Sequence, residues 1–192
     1  MQTKEEIRRE KLAERSRIPF TKINQWSKKI TNKFFQLPEL DSAKKIMTFV
    51  SKEKEVNTFD LMENLLDEGY LLYVPSTITE NNNLGTAQIN DLDSELKEGV
   101  FGVMEPKKSI RDEEPPHGLD IIIVPGAVFT RDGYRIGYGG GYYDSFLNDY
   151  GKNALKVGFC YSKFIIDQFP VEEHDIAVDL VITEKEVINT KD

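Results

Sequence analysis

The segment "RDGYRIGYGGGYYDSF", from Arg131 to Phe146, has four glycines within five positions, preceded by two arginines and followed by an acid. Residues without a Cβ let backbone N–H groups converge on an anion, and a helix starting at Gly141 would add its positive end. Arg131 and Arg135 could supply full charge. The spacing is not that of a P-loop, because no lysine follows, nor of G-x-G-x-x-G, because Tyr142 takes the third glycine position. An anion cradle and a tight turn that needs glycine both remain open.

Three carboxylates stand where a metal or a ligand could use them. Asp144 follows the glycines, and Asp175 precedes the last predicted strand in "EEHDIAVD". Mg²⁺ takes one or two carboxylates and completes its shell with water and phosphate oxygens, which suits either acid. Asp144 is also explained by the preference for an acid in the first turn of a helix, and Asp175 by surface acidity. Glu55, in "SKEKEVNT", could accept the N–H groups of a heterocycle, although it is one of many glutamates.

The cysteine and the two histidines give weaker evidence for a functional site. Cys160 lies in an apolar predicted strand without a cationic neighbour, so we expect a buried, unreactive thiol. His117 and His174 are interpreted as surface residues, since a lone histidine among polar neighbours is usually solvated. No Ser, His and Asp set with the pattern of a catalytic triad presents itself.

Composition fits one domain and excludes several partners. A chain of 192 residues can bury a core of its own, and its net charge of −8 argues against nucleic-acid binding, which needs a broad cationic footprint. Aliphatic runs such as "LDIIIVP" are far shorter than the roughly 20 residues that cross a bilayer, so we expect no membrane partner. The single cysteine and the lack of a leader pattern predict a cytoplasmic protein.

Charge is unevenly distributed along the chain. Residues 1–33 contain ten lysines and arginines against four glutamates, so the remainder is strongly acidic. Lys4, Arg8, Lys11 and Arg15 would line one side of a helix at spacings of i, i+4, i+7 and i+11. Such a stripe is compatible with a solvated face, a nucleic-acid arm or a collector for a small anionic ligand, and composition alone favours the solvated face.

The elements that must position these residues alternate between helix and strand. We predict a basic helix over about residues 3–17, a second helix from about Thr21 to the break at Pro38, and a helix from Thr58, as its cap, to Gly69. Further helices are predicted from Gly141 to Tyr150 and near Lys163 to Gln168. The predicted strands are "KIMTFV", "YLLYVP", "LDIIIVPG", "LKVGFC" and "VDLVIT", and only short strands are expected in residues 76–118.

This alternation predicts an α/β fold, a single-domain three-layer α/β/α sandwich with a mostly parallel, mixed central sheet. The unbroken apolar core of "LDIIIVPG" suits a central strand covered on both faces. Because the glycine segment follows that strand, it is expected beyond a strand's carboxyl end, where open α/β sheets place their ligands.

Several of these motifs together resemble a known family. "RIGYGGGYYDSFL", the preceding "VPGAVFTRDG", the opening "KEEIR", the "FGVMEP" segment and the closing "HDIAVDLVIT" are similar to 5-formyltetrahydrofolate cyclo-ligases, in order over nearly the whole chain. The resemblance implies an ATP- and Mg²⁺-dependent ligase that converts 5-formyltetrahydrofolate to 5,10-methenyltetrahydrofolate, with ADP and phosphate as co-products. It also implies a reduced folate and ATP as partners, and we expect a monomer.

The resemblance carries roles onto individual positions. It implies that Lys4 and Arg8 contact ATP phosphates, that the basic N-terminal helix packs over the nucleotide site, and that Arg135 and Tyr143 are catalytic. Asp144 and Asp175 would be the Mg²⁺ carboxylates, with Val50 and Glu55 on the folate. The nucleotide would be wrapped by Arg135, Ile136, Gly137, Tyr138, Gly139, Gly140, Gly141, Tyr142 and Tyr143, of which Tyr138 to Tyr142 would also border the folate.

The sequence departs from the family pattern in a few places. Ser76 follows the proline of "YVP" where a basic residue is expected, "GTAQI" replaces an apolar pair, and Ser145 stands where arginine is frequent. These departures concern the folate side more than the nucleotide side. Two alternatives therefore stay open: a non-catalytic nucleotide- or folate-binding module, and a sugar-phosphate isomerase relative that would act without ATP.

Overall fold

The structure is a computed structural model that describes residues 2–78, 83–99, 104–112 and 115–191. Its α-helices are α1 (Lys4–Ser16), α2 (Phe20–Phe34), α3 (Phe59–Asp67), α4 (Leu92–Glu95) and α5 (Tyr142–Tyr150). Its strands are β1 (Lys45–Met47), β2 (Leu71–Ile78), β3 (Asn83–Ile89), β4 (Leu96–Glu98), β5 (Met104–Pro106), β6 (Arg111–Asp112), β7 (Ile121–Val124), β8 (Val128–Thr130), β9 (Arg135–Ile136), β10 (Leu155–Phe159), β11 (Ile165–Ile166), β12 (Leu180–Ile182) and β13 (Val187–Asn189).

A mixed sheet forms the centre of the fold, with its described strands in the order β13-β12-β10-β7-β1-β2-β3-β6. The inner strands from β12 to β2 are parallel, whereas β13, β3 and β6 pair antiparallel at the two edges. Strand β7 is buried at every position, as its unbroken apolar sequence predicts. A smaller sheet of β11, β8 and β9 carries the start of the glycine segment.

Helices cover both faces of this sheet. The β1–α3–β2 crossover moves toward one edge and the β7–α5–β10 crossover toward the other. Because such crossovers are right-handed, α3 and α5 lie on opposite faces, and α2 packs beside α3. The fold is therefore the expected α/β sandwich with a mostly parallel, mixed sheet. The reversal of direction also creates a switch point at the carboxyl ends of β1 and β7, where such sheets bind ligands.

Local sequence explains the two N-terminal helices. Helix α1 begins with a capping box, in which the Thr3 hydroxyl accepts from the Glu6 N–H and the Glu6 carboxylate accepts from the Thr3 N–H at 2.8 Å. Helix α2 buries Ile23, Ile30 and Phe34 at the predicted helical spacing. Within the described part of the chain, every helix is too short or too polar to traverse a lipid bilayer.

The predicted helix near Lys163 to Gln168 is wrong. This stretch forms a single 3-10 turn over Ser162–Phe164 followed by strand β11. The two β-branched isoleucines of β11 pair in parallel with β8, and Pro170 follows too closely for another helical turn.

The region of residues 76–118 holds more structure than expected. Strand β2 continues to Ile78, and β3 pairs antiparallel with it over seven residues, where only short strands were predicted. The polar sequence hid this pairing because β3 lies near the sheet edge, with Ala87 and Ile89 buried at alternate positions. The terminal strand β13 was also missed.

Thr58 occupies the predicted N-cap position of α3, but its side chain does not cap the helix. Its hydroxyl donates to the Phe49 carbonyl at 2.8 Å and accepts from the Ser51 N–H at 3.1 Å. The Asn57 side chain instead accepts from the Phe59 N–H. Thr58 therefore fixes the loop that follows β1, which forms one wall of the cleft described below.

Candidate active site

A cleft of about 430 Å³ opens at the switch point of the sheet. Phe49 and Val50 follow β1 and Pro125 follows β7, so the carboxyl ends of both strands contribute to its walls. The glycine segment forms the opposite wall. The residues that line the cleft are Phe49, Val50, Lys52, Glu55, Pro75, Leu84, Met104, Glu105, Pro125, Arg135, Gly137, Tyr138, Gly140, Gly141, Tyr142, Tyr143 and Asp144.

The glycine segment needs glycine for its backbone conformation. Gly139 has φ of 102° and Gly141 φ of 67°, a left-handed region that side chains with a Cβ rarely adopt. A Cβ on Gly140 would lie 2.3 Å from the Tyr142 ring. Gly141 is the N-cap of α5, so the positive end of this helix lies at the cleft. The tight turn and the anion cradle are thus compatible in one segment.

Arg135 and Asp144 form a buried ion pair at the base of the cleft. Arg135 Nη2 lies 3.0 Å from Asp144 Oδ1, and only 3% of the Arg135 side chain is exposed. Nη1 donates to the Ile176 carbonyl at 2.8 Å, while Asp144 Oδ1 accepts from the Ile176 N–H at 3.0 Å. Burial lowers the pKa of Arg135, and the negative charge of Asp144 partly offsets that effect. The Nη2 atom lies at ion-pair distance from Asp144 but has no hydrogen bond of good geometry among the described residues.

Lys4 and Asp175 form a second ion pair beside the cleft. Lys4 Nζ lies 2.6 Å from Asp175 Oδ2 and 2.6 Å from Glu172 Oε2, and only 9% of the Asp175 side chain is exposed. Burial opposes ionisation of both partners, but their hydrogen bonds outweigh it, so the pKa of Lys4 is raised and that of Asp175 is lowered. Asp175 is therefore not a solvated surface acid.

Helix α1 docks its basic stripe against the glycine segment. Arg8 Nε donates to the Gly137 carbonyl at 2.8 Å, and Arg15 Nη2 donates to the Tyr138 hydroxyl at 2.5 Å. Arg15 is 7% exposed, and the side chains of Lys4, Arg8 and Lys11 are 17–23% exposed. The stripe is consequently not a solvated face.

Glu55 is a buried carboxylate on the cleft wall, 6% exposed. Its Oε2 accepts from the Lys52 N–H at 2.6 Å, and its Oε1 accepts from the Tyr138 hydroxyl. The Tyr161 hydroxyl donates to the Glu55 backbone carbonyl at 2.6 Å. Although Tyr138 is 39% exposed as a whole, desolvation of its hydroxyl and the neighbouring Glu55 charge raise its pKa well above the usual value, so Tyr138 stays a neutral donor to this carboxylate.

Tyr143, in the first turn of α5, has an unusual environment. Its hydroxyl is buried and finds no hydrogen-bond partner among the described residues, although its ring lines the cleft. Burial, reinforced by the Glu55 charge, raises its pKa. Since buried hydroxyls are nearly always paired, an unpaired one beside a cleft is a candidate contact for a ligand.

The structure brings most of the predicted residues to one place. Val50, Glu55, Arg135, Asp144 and residues 137–143 meet in the cleft, except for Gly139, which is not among its lining residues. Ile136 is 1% exposed in the core. Three predicted residues lie beside the cleft and are not among its lining residues. Lys4 and Asp175 form an ion pair there, and Arg8 contacts the Gly137 carbonyl. Arg131 is not brought to the cleft: it pairs with Glu186 at 2.7 Å and is solvated, because the β8–β9 turn directs it away.

Sequence reasoning missed Arg15 and Lys52. Arg15 was visible only as one member of the basic stripe, and Lys52 Nζ lies 5.2 Å from the centre of the Tyr138 ring.

The structure also shows where two departures from the family pattern lie: Ser76 is buried in β2, whereas Ser145 is exposed in α5. Cys160 is buried, as expected, and burial raises its pKa to about 12 although the charge of Arg15 acts in the opposite direction. His117 and His174 are exposed, as predicted.

The carboxylates fit a divalent cation by their chemistry. Asp144 and Asp175 are hard oxygen donors, and both act on the buried Arg135 guanidinium: Asp144 at ion-pair distance and Asp175 through its charge. Ligand atoms of Glu172, His174 and Asp175 also lie within 4.8 Å of one another. In this structure a side-chain cation balances the negative charge of each proposed ligand: Arg135 pairs with Asp144, and Lys4 pairs with Asp175.

Comparisons with known proteins agree with this arrangement. The family model of the 5-formyltetrahydrofolate cyclo-ligase family matches residues 1–184. The chain is 28% identical to the Haemophilus influenzae 5-formyltetrahydrofolate cyclo-ligase over 91% of this chain and 94% of that protein. It is 31% identical to the Escherichia coli K12 enzyme of that name, over 78% of this chain and 83% of that one.

A solved structure extends the similarity to the fold. The NMR structure of Aquifex aeolicus 5,10-methenyltetrahydrofolate synthetase superimposes with a TM-score of 0.83 at 32% identity, covering 98% of this chain and 93% of that one. With the family model spanning nearly all residues and the cleft residues in place, the chain belongs to the 5-formyltetrahydrofolate cyclo-ligase family.

Proposed function

We propose that this chain, a ligase of the 5-formyltetrahydrofolate cyclo-ligase family, uses ATP to convert 5-formyltetrahydrofolate to 5,10-methenyltetrahydrofolate with release of ADP and phosphate. The observation that carries the proposal is the cleft at the switch point. There, a glycine segment suited to phosphates faces a buried carboxylate, Glu55, suited to a heterocycle.

The chemistry explains why ATP is needed. A formamide oxygen is a poor leaving group, so the γ-phosphoryl group of ATP is first transferred to the formyl oxygen, which yields an imidate phosphate and ADP. N10 then attacks the activated carbon and forms the new C–N bond. The C–O bond breaks, phosphate leaves with the electron pair, and N10 loses its proton as the ring closes. Catalysis of these steps is mainly positioning and charge neutralisation.

The nucleotide is assigned to residues 135–143. Gly140 and Gly141 line the cleft, and the positive end of α5 begins at Gly141, where phosphates are stabilised, with Gly139 in the turn that leads to them. Lys4 and Arg8 are proposed as additional phosphate contacts. Arg8 supports this assignment because its side chain already contacts the glycine segment at the Gly137 carbonyl, and Lys4 lies about one helical turn before it on α1.

Arg135 and Tyr143 are proposed as the catalytic residues. Both line the cleft, and each carries a buried polar atom without a hydrogen-bond partner among the described residues, Nη2 of Arg135 and the Tyr143 hydroxyl. Leaving the Tyr143 hydroxyl unpaired costs about 1–3 kcal/mol, so a ligand oxygen that accepts from it would recover that free energy, whereas Arg135 Nη2 has its ion pair with Asp144. Charge that develops on the transferred phosphoryl group is the chemistry that these donors suit.

Asp144 and Asp175 are proposed to hold Mg²⁺. When bound, the ion would neutralise phosphate charge and orient the transferred group. The chain's own contribution is to hold both carboxylates near Arg135, and the lowered pKa of Asp175 favours the ionised form of that residue.

The folate is assigned to the opposite wall. Val50 offers apolar contact after β1, and Glu55 offers carboxylate lone pairs to the N–H groups of the pterin. Residues 138–142 would separate the two substrates, since Tyr138 contacts Glu55 on one side and continues into the glycine turn on the other. We further propose that residues 1–192 act as one domain and as a monomer.

A coupled turnover measurement tests the proposal. Absorbance of the methenyl product should grow from 5-formyltetrahydrofolate only when Mg-ATP is present, with one ADP formed for each product. Nucleotide binding without turnover would instead indicate a non-catalytic binding module. Product formation without ATP would refute the phosphorylated intermediate.

A further inference from the structure

Arg15 is a buried cation that none of the roles above uses. It stands near the end of α1, is 7% exposed, and donates through Nη1 to the Gly126 carbonyl at 3.1 Å. Its Nη2 donates to the Tyr138 hydroxyl at 2.5 Å, and its Cζ lies 5.5 Å from the centre of the Tyr138 ring. Burial alone would lower the pKa of Arg15, but Tyr138 and Glu55 outweigh it and raise that pKa, so the guanidinium stays charged.

The direction of the hydrogen bonds then follows from the donor inventory. A guanidinium only donates, so the Tyr138 oxygen must accept from Arg15. The single hydroxyl proton of Tyr138 is left for Glu55 Oε1, which accepts it. Glu55 Oε2 already accepts from the Lys52 N–H at 2.6 Å. Both carboxylate oxygens therefore act as acceptors.

We infer that Arg15 is a positioning residue for the folate: through the Tyr138 hydroxyl it fixes Glu55 as an acceptor-only group aimed at the N–H groups of the pterin ring. The inference rests on the proposed function of the cleft. The same contacts link helix α1 to the glycine segment and to the loop after β1. Arg15, which lies on the nucleotide side, thereby fixes the position of Glu55 on the folate side. A purely structural role would instead act through the Gly126 carbonyl.

A double-mutant cycle separates the two roles. Arg15→Met, Tyr138→Phe and the combined variant are compared in turnover of 5-formyltetrahydrofolate with Mg-ATP. Each single change should raise the KM for 5-formyltetrahydrofolate about tenfold to a hundredfold, the range for a lost charge-assisted hydrogen bond, and the KM for ATP much less. The combined variant should be little worse than the worse single variant, because both act through one hydrogen bond.

Losses that multiply in the combined variant, or equal losses for both substrates, would overturn the inference in favour of a structural role. Arg9→Met, an exposed arginine on the same helix, is the matched control and should change neither KM. If Arg15→Met does not fold, Tyr138→Phe decides alone: it deletes the link to Glu55 while the Arg15 contact with Gly126 remains. An unchanged folate KM in that variant would overturn the inference.

Failure of the proposed function is recognised separately. A wild-type protein that does not turn over 5-formyltetrahydrofolate with Mg-ATP refutes the function, and a crystal structure of Tyr138→Phe then decides the role of the contacts. A Glu55 carboxylate that turns away from its wild-type position supports positioning by Arg15 through Tyr138. A carboxylate that stays in place overturns it.

Discussion

The unpaired hydroxyl of Tyr143 gives a prediction in which stability and activity move in opposite directions. The change Tyr143→Phe removes only this oxygen, which is buried and lacks a hydrogen-bond partner among the described residues. A buried hydroxyl without a partner costs about 1–3 kcal/mol. The variant should therefore gain about 2 kcal/mol of unfolding free energy, which corresponds to a Tm increase of roughly 4–8 °C for a chain of this length.

Turnover should change in the other direction. If the Tyr143 hydroxyl contacts the phosphoryl group in the transition state, its loss should lower kcat on the order of a hundredfold, as for other donors aimed at developing charge. The assay is thermal unfolding without ligand, followed by turnover of 5-formyltetrahydrofolate with Mg-ATP. The folded variant is more stable in this expectation, so a lower rate cannot be explained by unfolding.

Tyr161→Phe is the matched control for the stability part. Its hydroxyl is also buried, but it donates to the Glu55 carbonyl at 2.6 Å, so its removal should cost about 1 kcal/mol and lower the Tm. A Tm of Tyr143→Phe equal to or below that of the wild type would refute the stability argument, because it would mean that a water satisfies the hydroxyl. An unchanged kcat would refute its proposed role in catalysis.

Three other changes test the metal and nucleotide assignments. Asp144→Asn should lower turnover at limiting Mg²⁺, whereas Asp149→Asn, exposed on the same helix, should not; equal rates in the two variants would contradict the metal role. Lys4→Ala should mainly raise the apparent KM for ATP, by about tenfold for one lost charged contact, and an unchanged ATP dependence would leave Lys4 as an ion-pair partner only. Since the folded pKa of Asp175 lies below its ordinary value of 3.8, its contribution to stability is present above that pH and is lost as the pH falls through the folded value. The Tm difference between wild type and Asp175→Asn should therefore shrink in acid, and a constant difference across that range would count against the pair.

Much of the fold could be predicted because the deciding signals are local. The apolar run of β7 requires cover on both faces, and the spacing in α2 defines one buried side of a helix. The β2–β3 pairing could not be read, since β3 carries no apolar pattern of its own and is held by backbone pairing with β2 on one side and β6 on the other. The stretch after Tyr161 failed for a similar reason: pairing of β11 with β8 overrides a weak helical pattern.

The candidate site shows the same division. The glycine segment could be recognised from its residue types, because only glycine adopts the positive φ of Gly139 and Gly141 without strain. The ion-pair partners of the charged residues could not be recognised in this way, since Lys4 and Asp175 are neighbours only after folding. Arg131 and Arg135 look equivalent in the sequence, yet the β8–β9 turn sends one to solvent and buries the other. Burial, which sequence cannot supply, decides which arginine belongs to the site.

The position of the cleft follows from chain direction. The crossover after β1 and the crossover after β7 leave the sheet toward opposite edges, so the loops that follow these two strands part and leave a gap between them. Glu55 comes from the first loop, and the glycine segment comes from the second, which returns through β8 and β9. A ligase must hold two substrates in contact, and a gap with one wall from each loop permits this without a movement of the sheet. Helix α1 then closes the arrangement from outside, because Arg15 contacts the Gly126 carbonyl after β7 and the hydroxyl of Tyr138, which in turn donates to Glu55.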